Sequence, residues 1–191
     1  VKNYNSKTCM PASFFAGDTV EVAQNLLGKV LVRRWQDGTS RAFRLVEVEA
    51  YTQEDPACHA FNGLTKRSQV MFEDPGYSYV YFIYGMYHCL NVVTEAPGRG
   101  CAVLIRGLDG MGLVDLSGPG KLCKNLDIDL TYNRLPLFKN SSPISLHYAL
   151  NTAGDAKNEE CEIIATPRIG VSKGKEHHWR FTYKAKKSRD K

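Results

Sequence analysis

Residues 77–94 read YSYVYFIYGMYHCLNVVT, and the fold turns on this stretch. Two runs rich in aromatic and β-branched residues, 77–84 and 87–94, meet at Tyr84-Gly85-Met86, which predicts a β-hairpin. Gly85 takes a positive φ at no steric cost, so the chain can reverse tightly there. Alternation puts Tyr77, Tyr79, Tyr81 and Ile83 on one face and Ser78, Val80, Phe82 and Tyr84 on the other. Five of the chain's ten tyrosines lie between Tyr77 and Tyr87. Most of these rings suit an ordinary core, where each hydroxyl needs only one partner. Tyr84 suits it least, because a ring at a sharp reversal is hard to bury. Tyr84 and Met86 are therefore expected to project from the hairpin tip.

Outward from this hairpin, the turn signals are those of an antiparallel sheet. Residues 30–35 and 42–51 read as strands joined through Asp37-Gly38, a hairpin signal. Residues 101–106 read as a further strand after Ala96-Pro97-Gly98, with shorter strands near 163–164 and 180–183. Asp18 with Glu21 three residues on fits a capping box and predicts a helix to about Leu27. Val20, Ala23, Leu26 and Leu27 would lie on its inner side, with Gly28 as the stop. Ser117-Gly-Pro-Gly-Lys121 opens a second short helix, to about Leu126, with Ser117 as its cap. The result is an α+β expectation: a single compact domain, 1–191, on a mainly antiparallel curved β-sheet with a few flanking helices and a protruding β-hairpin. Residues 1–12 and 184–191 are expected as flexible tails.

A chain of 191 residues with 43% hydrophobic content can bury a real core without metal or disulfide staples. No run of about 18 apolar residues exists, so no membrane span is predicted. The N-terminal VKNYNSKTCMPASFF lacks the apolar core of a signal peptide. The expected location is cytoplasmic (the nucleoid) in a bacterium or nuclear in a eukaryote, and not secreted. The six cysteines form no C-x-x-C pair and read as reduced buried thiols rather than metal ligands. The net charge is +5, unevenly placed. From Lys173 to Lys191 there are eight Lys/Arg against two Asp/Glu, while the remainder carries 17 basic and 18 acidic groups. A basic end fits either polyanion binding or a plain solvated terminus.

The chemistry concentrates on 42–51. Strict alternation would place Phe43, Leu45, Glu47, Glu49 and Tyr51 on one face and Arg44, Val46, Val48 and Ala50 on the other. Both faces are largely apolar, so the strand is expected to be central, and its carboxylates are costly unless paired or functional. Glu47 reads as an ion-paired edge residue. Glu49 stands beside Tyr51, with His59 a short loop away. A carboxylate against an aromatic wall can take a proton from water and face a sugar cation, as hydrolysis of a glycosidic bond requires. Arg106, ending CAVLIRG, needs an anion: Glu49, a phosphate or an edge partner. Asn91 in LNVVT must be hydrogen-bonded, as a structural bridge or as a reader of a ligand edge. Ser117-Gly-Pro-Gly-Lys121 fails as a phosphate loop of the Walker kind, since Asp115 and Leu122 stand where Gly and Ser/Thr are needed. A DNA phosphate could still bind there, although plain capping is the simpler expectation. Exposed wedges such as Tyr84 are a known way to pry apart stacked bases from the minor groove.

An ordered set of segments now becomes informative. It comprises Phe14-Phe15, Leu26-Leu27-Gly28-Lys29 with Leu31-Val32-Arg33, Val46-Glu-Val-Glu-Ala-Tyr51, Met71-Phe72 with Pro75-Gly76, Tyr79-Val80-Tyr81, Ile83-Tyr84-Gly85-Met86, Cys89-Leu90-Asn91, Ser117-Gly-Pro-Gly-Lys-Leu122 and Arg168-Ile169-Gly170-Val171. Together these resemble the alkyladenine (3-methyladenine) DNA glycosylase family from about residue 14 to 171. The resemblance implies a base-excision enzyme with no metal and no cofactor that removes alkylated or deaminated purines from duplex DNA, and a monomer is expected. It implies Glu49 as general base, with Arg106 helping to hold the water and the carboxylate. Tyr51, His59 and Tyr81 would line the pocket around a flipped base, and Asn91 would meet the purine edge and discourage normal guanine. Tyr84, with Met86, would fill the gap in the duplex. Ser117, Gly120 and Lys121 remain candidate contacts to the DNA backbone.

Two other classes remain compatible with the residues alone. Glu47 and Glu49, at i and i+2 on one strand face, would lie roughly 7 Å apart. That is within the range of about 6.5–9.5 Å for an inverting carbohydrate glycosidase. A non-enzymatic nucleic-acid binder would use the tyrosines as a stacking platform and the basic tail as an electrostatic anchor.

Overall fold

The computed structural model describes residues 6–110, 114–150 and 161–185. Helix α1 (Thr19–Leu26) starts where Asp18 accepts the backbone N–H groups of Val20 and Glu21, satisfying two donors that a helix start leaves free. Its buried face is Thr19, Val22, Ala23 and Leu26. Val22, rather than the expected Val20, is the fully buried valine. Strands β1 (Val30–Arg34) and β2 (Ser40–Tyr51) follow, then the hairpin β3 (Ser78–Ile83) and β4 (Tyr87–Val93), and then β5 (Ala102–Asp109). Helix α2 (Pro119–Asn125), β6 (Ile144–His147), β7 (Cys161–Thr166) and β8 (Arg180–Ala185) complete the chain. All strand pairings are antiparallel, and the main order is β3-β4-β5-β2-β1-β6, with β8 joining β2 to β7. The expected α+β domain on an antiparallel sheet is what the chain forms. β6 carries no turn signal strong enough to reveal it in the sequence, being four residues long.

β2 is the spine. β5 runs along Arg44–Tyr51 on one edge, while β1 holds Ser40–Arg44 and β8 holds Glu47–Glu49 on the other. The sheet forks at this point, and the ladder with β5 is irregular there. Its register passes over Val46 on β2 and then over Arg106 on β5. Such bulges change which way the following side chains point. Phe43 and Leu45 therefore share the core with Val48 and Ala50, on the side packed against α1 and α2. This corrects the strict alternation expected for 42–51: Glu47, Glu49 and Tyr51 do not share a face with Phe43 and Leu45. On β5, Val103, Ile105 and Leu108 likewise face the core, leaving Ala102, Leu104 and Arg106 to the opposite side.

That opposite side carries a second, smaller apolar cluster. Cys58, Ala60, Val70 and Met71, from the long connection 52–77, pack on Tyr79, Val93 and Ala102, with Tyr51, Phe72 and Tyr81 at its margin. Residues 6–12, expected as part of a flexible tail, are tied down instead. Met10 is fully buried, its N–H bonds Leu146 O, and the Tyr148 N–H bonds Thr8 O. β8 likewise extends through 184–185. The rest of both expected tails, 1–5 and 186–191, lies outside the described residues.

Candidate active site

The site is built where the β2–β5 irregularity, the aromatic hairpin and the loop 167–174 converge. A cavity of about 340 Å³ opens there, within the usual range for small-molecule pockets. Its wall is aromatic: Tyr51 from β2, Tyr79 and Tyr81 from β3, and His59 from the loop after β2. His59 meets the Tyr81 ring edge-to-face at 4.6 Å between centroids. His59 Nδ1 lies 2.9 Å from the Tyr79 hydroxyl. Arg67 stands 5.1 Å from the Tyr81 ring centroid.

Behind this wall lies the carboxylate of Glu49, which is completely buried. Burying a carboxylate is costly unless it is paired and hydrogen-bonded, and here it has three partners. Its Oε2 accepts the Tyr51 hydroxyl at 2.8 Å and faces Arg106 Nη1 at 3.4 Å, and its Oε1 accepts the Ile169 backbone N–H at 2.8 Å. Burial, and then the charge of Glu49, raises the Tyr51 phenol well above its ordinary pKa, so Tyr51 stays a donor to the carboxylate. Glu47 takes the ion-paired role expected of it. One of its oxygens accepts Arg106 Nε at 3.0 Å and Arg180 Nε at 2.6 Å. Arg106 thus bridges the two carboxylates, and Glu47 has no freedom to act as the second acid of a glycosidase pair.

Burial, and then the nearby Arg67 cation, pushes the His59 imidazole down to about 4, so the ring is neutral at physiological pH. Since the folded value lies below the unfolded one of about 6.5, the unfolded chain binds more protons between these values. Stability contributed by His59 is present above pH 6.5 and is lost as the pH falls towards 4. The melting temperature of His59→Gln should accordingly fall less than that of the parent between pH 7 and pH 4.5. Equal losses in the two proteins would contradict a neutral, half-buried imidazole.

A family model described as methylpurine-DNA glycosylase matches residues 13–187. The chain belongs to that family. Its relatives include three proteins named "Putative 3-methyladenine DNA glycosylase". One, from Wolbachia sp. subsp. Brugia malayi (strain TRS), is 47% identical over 175 residues, covering 90% of this chain and 95% of the relative. One from Wolbachia pipientis subsp. Culex pipiens (strain wPip) is 46% identical over 179 residues, covering 92% and 90%. One from Carboxydothermus hydrogenoformans is 43% identical over 192 residues, covering 93% and 96%. Membership makes this methylpurine-DNA glycosylase family chain a DNA glycosylase, an enzyme of base-excision repair.

Of the residues singled out in the sequence of this glycosylase, Tyr51, His59, Tyr81, Asn91 and Arg106 line one cavity together, with Glu49 hydrogen-bonded at its base. Asn91 is buried, and its Nδ2 donates to Tyr79 O at 2.9 Å, so its amide is fixed by the hairpin itself. Tyr84 and Met86 stand at the tip, 78% and 65% exposed. Tyr84 itself has φ 55° and Gly85 φ 67°, both in the left-handed region within the three-residue connection from Ile83 to Tyr87. A left-handed backbone is unusual for a bulky residue. Ser117 departs from expectation. Gly118, with φ 93°, is the N-cap of α2, and Pro119 opens the helix. The Ser117 N–H and hydroxyl both go to Asp115, because that acceptor lies within the same turn. Lys121 pairs with Asp115 at 2.8 Å on the surface, and the backbone of Gly120 lies flat beneath Tyr87, where a Cβ would come within 2.8 Å of the ring.

Three contributors escape a reading of side-chain chemistry. The Ile169 amide has no side-chain signature. Asp55 and Arg168, a buried ion pair beside it, are far apart in sequence. The only mark of the first was the Arg168-Ile169-Gly170-Val171 segment, which carries resemblance but no evident chemistry.

Proposed function

We propose that the chain acts as a monomer on duplex DNA, flips damaged purines into the aromatic cavity and hydrolyses their N-glycosidic bond with a water activated by Glu49. The observation that carries this reading is a fully buried carboxylate, held by Tyr51, Arg106 and the Ile169 N–H, at the base of an aromatic cavity. A purine inside a duplex cannot reach such a group and must leave the stack, at a cost of a few kcal/mol that is lower for damaged pairs. Tyr84 and Met86, exposed at the hairpin tip, fill the vacated space. Ser117, Gly120 and Lys121 contact the backbone, with Lys121 exchanging its surface partner Asp115 for a phosphate. Such a solvent-exposed pair is weak and is readily exchanged.

Inside the pocket the base stacks between Tyr51 and Tyr81 with His59 alongside, worth roughly 1–3 kcal/mol per stacked base. The attraction is larger for a cationic methylated purine. Asn91, held by the hairpin, meets the edge at which guanine carries its amino group. Water attacks C1′, its proton passes to Glu49, and the C1′–N bond electrons leave with the base. Arg106 steadies the water and the carboxylate. A methylpurine already carries a positive charge and leaves neutral. Hypoxanthine needs a proton, and a neutral His59 is not a donor of the imidazolium kind.

The test is single-turnover cleavage of a labelled duplex holding one hypoxanthine or ethenoadenine, followed by alkali, with release of 3-methyladenine from methylated DNA as companion. Base release without strand scission before alkali is expected. Binding to DNA with no abasic product from any of these substrates would overturn the proposal in favour of a non-catalytic binder. Tyr84→Gly separates wedge from scaffold. Relief of the left-handed backbone should leave the melting temperature equal or higher, since glycine takes this conformation freely, while excision and lesion affinity fall. Parental excision in that variant would remove the wedge role.

A further inference from the structure

The Ile169 N–H reaches Glu49 from a loop, and a loop amide is a precise donor only if something fixes it. We infer that the buried Asp55–Arg168 pair is that fixture, and that Arg168 is a positioning residue for the general base. This inference rests on the Glu49 role proposed above.

Both side chains are wholly buried. Arg168 Nη2 donates to Asp55 Oδ1 at 3.0 Å and to Gly174 O at 3.0 Å, and Nη1 donates to Asp55 Oδ2 and, at 2.9 Å, to Ala50 O. One guanidinium therefore ties three places together: β2 one residue beyond Glu49, the turn after β2, and the far end of the loop that carries Ile169. The fork geometry of arginine makes this possible, and a lysine ammonium cannot reproduce it. Arg168 also lies 4.7 Å from the centroid of Tyr51 and 5.3 Å from that of Trp179, with His177 stacked at 4.0 Å on Trp179. It thus backs the ring whose hydroxyl is the second donor to Glu49. Gly174 closes over the pair: a Cβ there would stand 2.5 Å from Asp55 Oδ1, so the loop can seat only on glycine. Two of the three donors that hold Glu49, the Ile169 N–H and the Tyr51 hydroxyl, are thereby placed by one cation that does not line the cavity.

The experiment uses the full chain with Arg168→Lys, and with the double variant Asp55→Asn/Arg168→Gln, which removes both buried charges together and so avoids stranding one. Three quantities are read: single-turnover base release, affinity for duplex DNA with an abasic site, and the Ile169 amide proton resonance. In the parent that resonance should lie downfield and move on Glu49→Gln. In both clamp variants it should move upfield, and base release should fall at least tenfold, while abasic-site affinity stays within twofold. A purely structural pair would not divide chemistry from binding in this way. An unmoved amide with base release within twofold of the parent would overturn the inference, as would an Ile169 amide that ignores Glu49→Gln. The proposed function fails separately, by absence of base release from the parent or by full release from Glu49→Gln.

Discussion

Glu49→Gln should lower the single-turnover rate of base release by at least about 100-fold, the lower end for loss of a general base. The substitution keeps shape and volume. The amide oxygen still accepts the Ile169 N–H that Glu49 Oε1 now accepts at 2.8 Å. What changes is the atom facing Tyr51 and Arg106: an NH₂ group cannot accept from either, and it cannot take a proton from water. The charge that would oppose a sugar cation is lost with it. DNA affinity should change little, since Glu49 has no exposed surface with which to touch the duplex. A Glu49→Gln variant that releases bases at near-parental rates would end the assignment of this carboxylate.

The largest effect on stability should come from Arg168→Met. It leaves Asp55, itself without exposed surface, as a buried charge with its cation gone. Removing one partner of such a pair costs about 3–5 kcal/mol. For a domain of this size each kcal/mol shifts the melting temperature by roughly 2–4 °C, which gives a fall of about 6–20 °C. Calorimetry on Arg168→Met and on Asp55→Asn/Arg168→Gln tests this. The double variant should regain much of the loss, because no charge is stranded. If the single variant melted with the parent, the pair would not be buried as described.

Much of this was readable in the chain itself, and the reasons are local. The hairpin at 77–94 and the Asp18 cap rest on contiguous patterns that are obeyed, and the strand carrying Glu49 is a strand as its composition indicates. The face of Phe43 and Leu45 was not readable, because an apolar stretch such as FRLVEVEA fits alternation in either phase, and only the partner strand reveals the slip. The start of α2 was not readable, because the Ser117 N–H and hydroxyl both turn to Asp115 and Gly118 stands at the cap. Asp55 and Arg168 lie 113 positions apart, and the Ile169 contribution is a peptide N–H that every non-proline residue possesses. Side-chain identities indicated the pocket wall. The geometry that aims the carboxylate came from backbone and long-range pairing.

The two skipped residues at the sheet's fork carry a further consequence. Taking Val46 from β2 and Arg106 from β5 together would leave Leu45 opposite Leu108, Glu47 opposite Gly107 and Val48 opposite Ile105, every side chain on its present face and the ladder unbroken. The hydrocarbon layer therefore has no use for either residue. Arg106 is supernumerary to the ladder register, and its place there lets one cation bridge Glu47 and Glu49. A shortened homologue lacking both positions would keep a regular ladder register yet have no cation between its two glutamates. Conversely, loss of just one of them would throw half the sheet out of phase. Length variation at this fork thus keeps the register only in matched pairs, and even then removes the cation that balances a buried carboxylate.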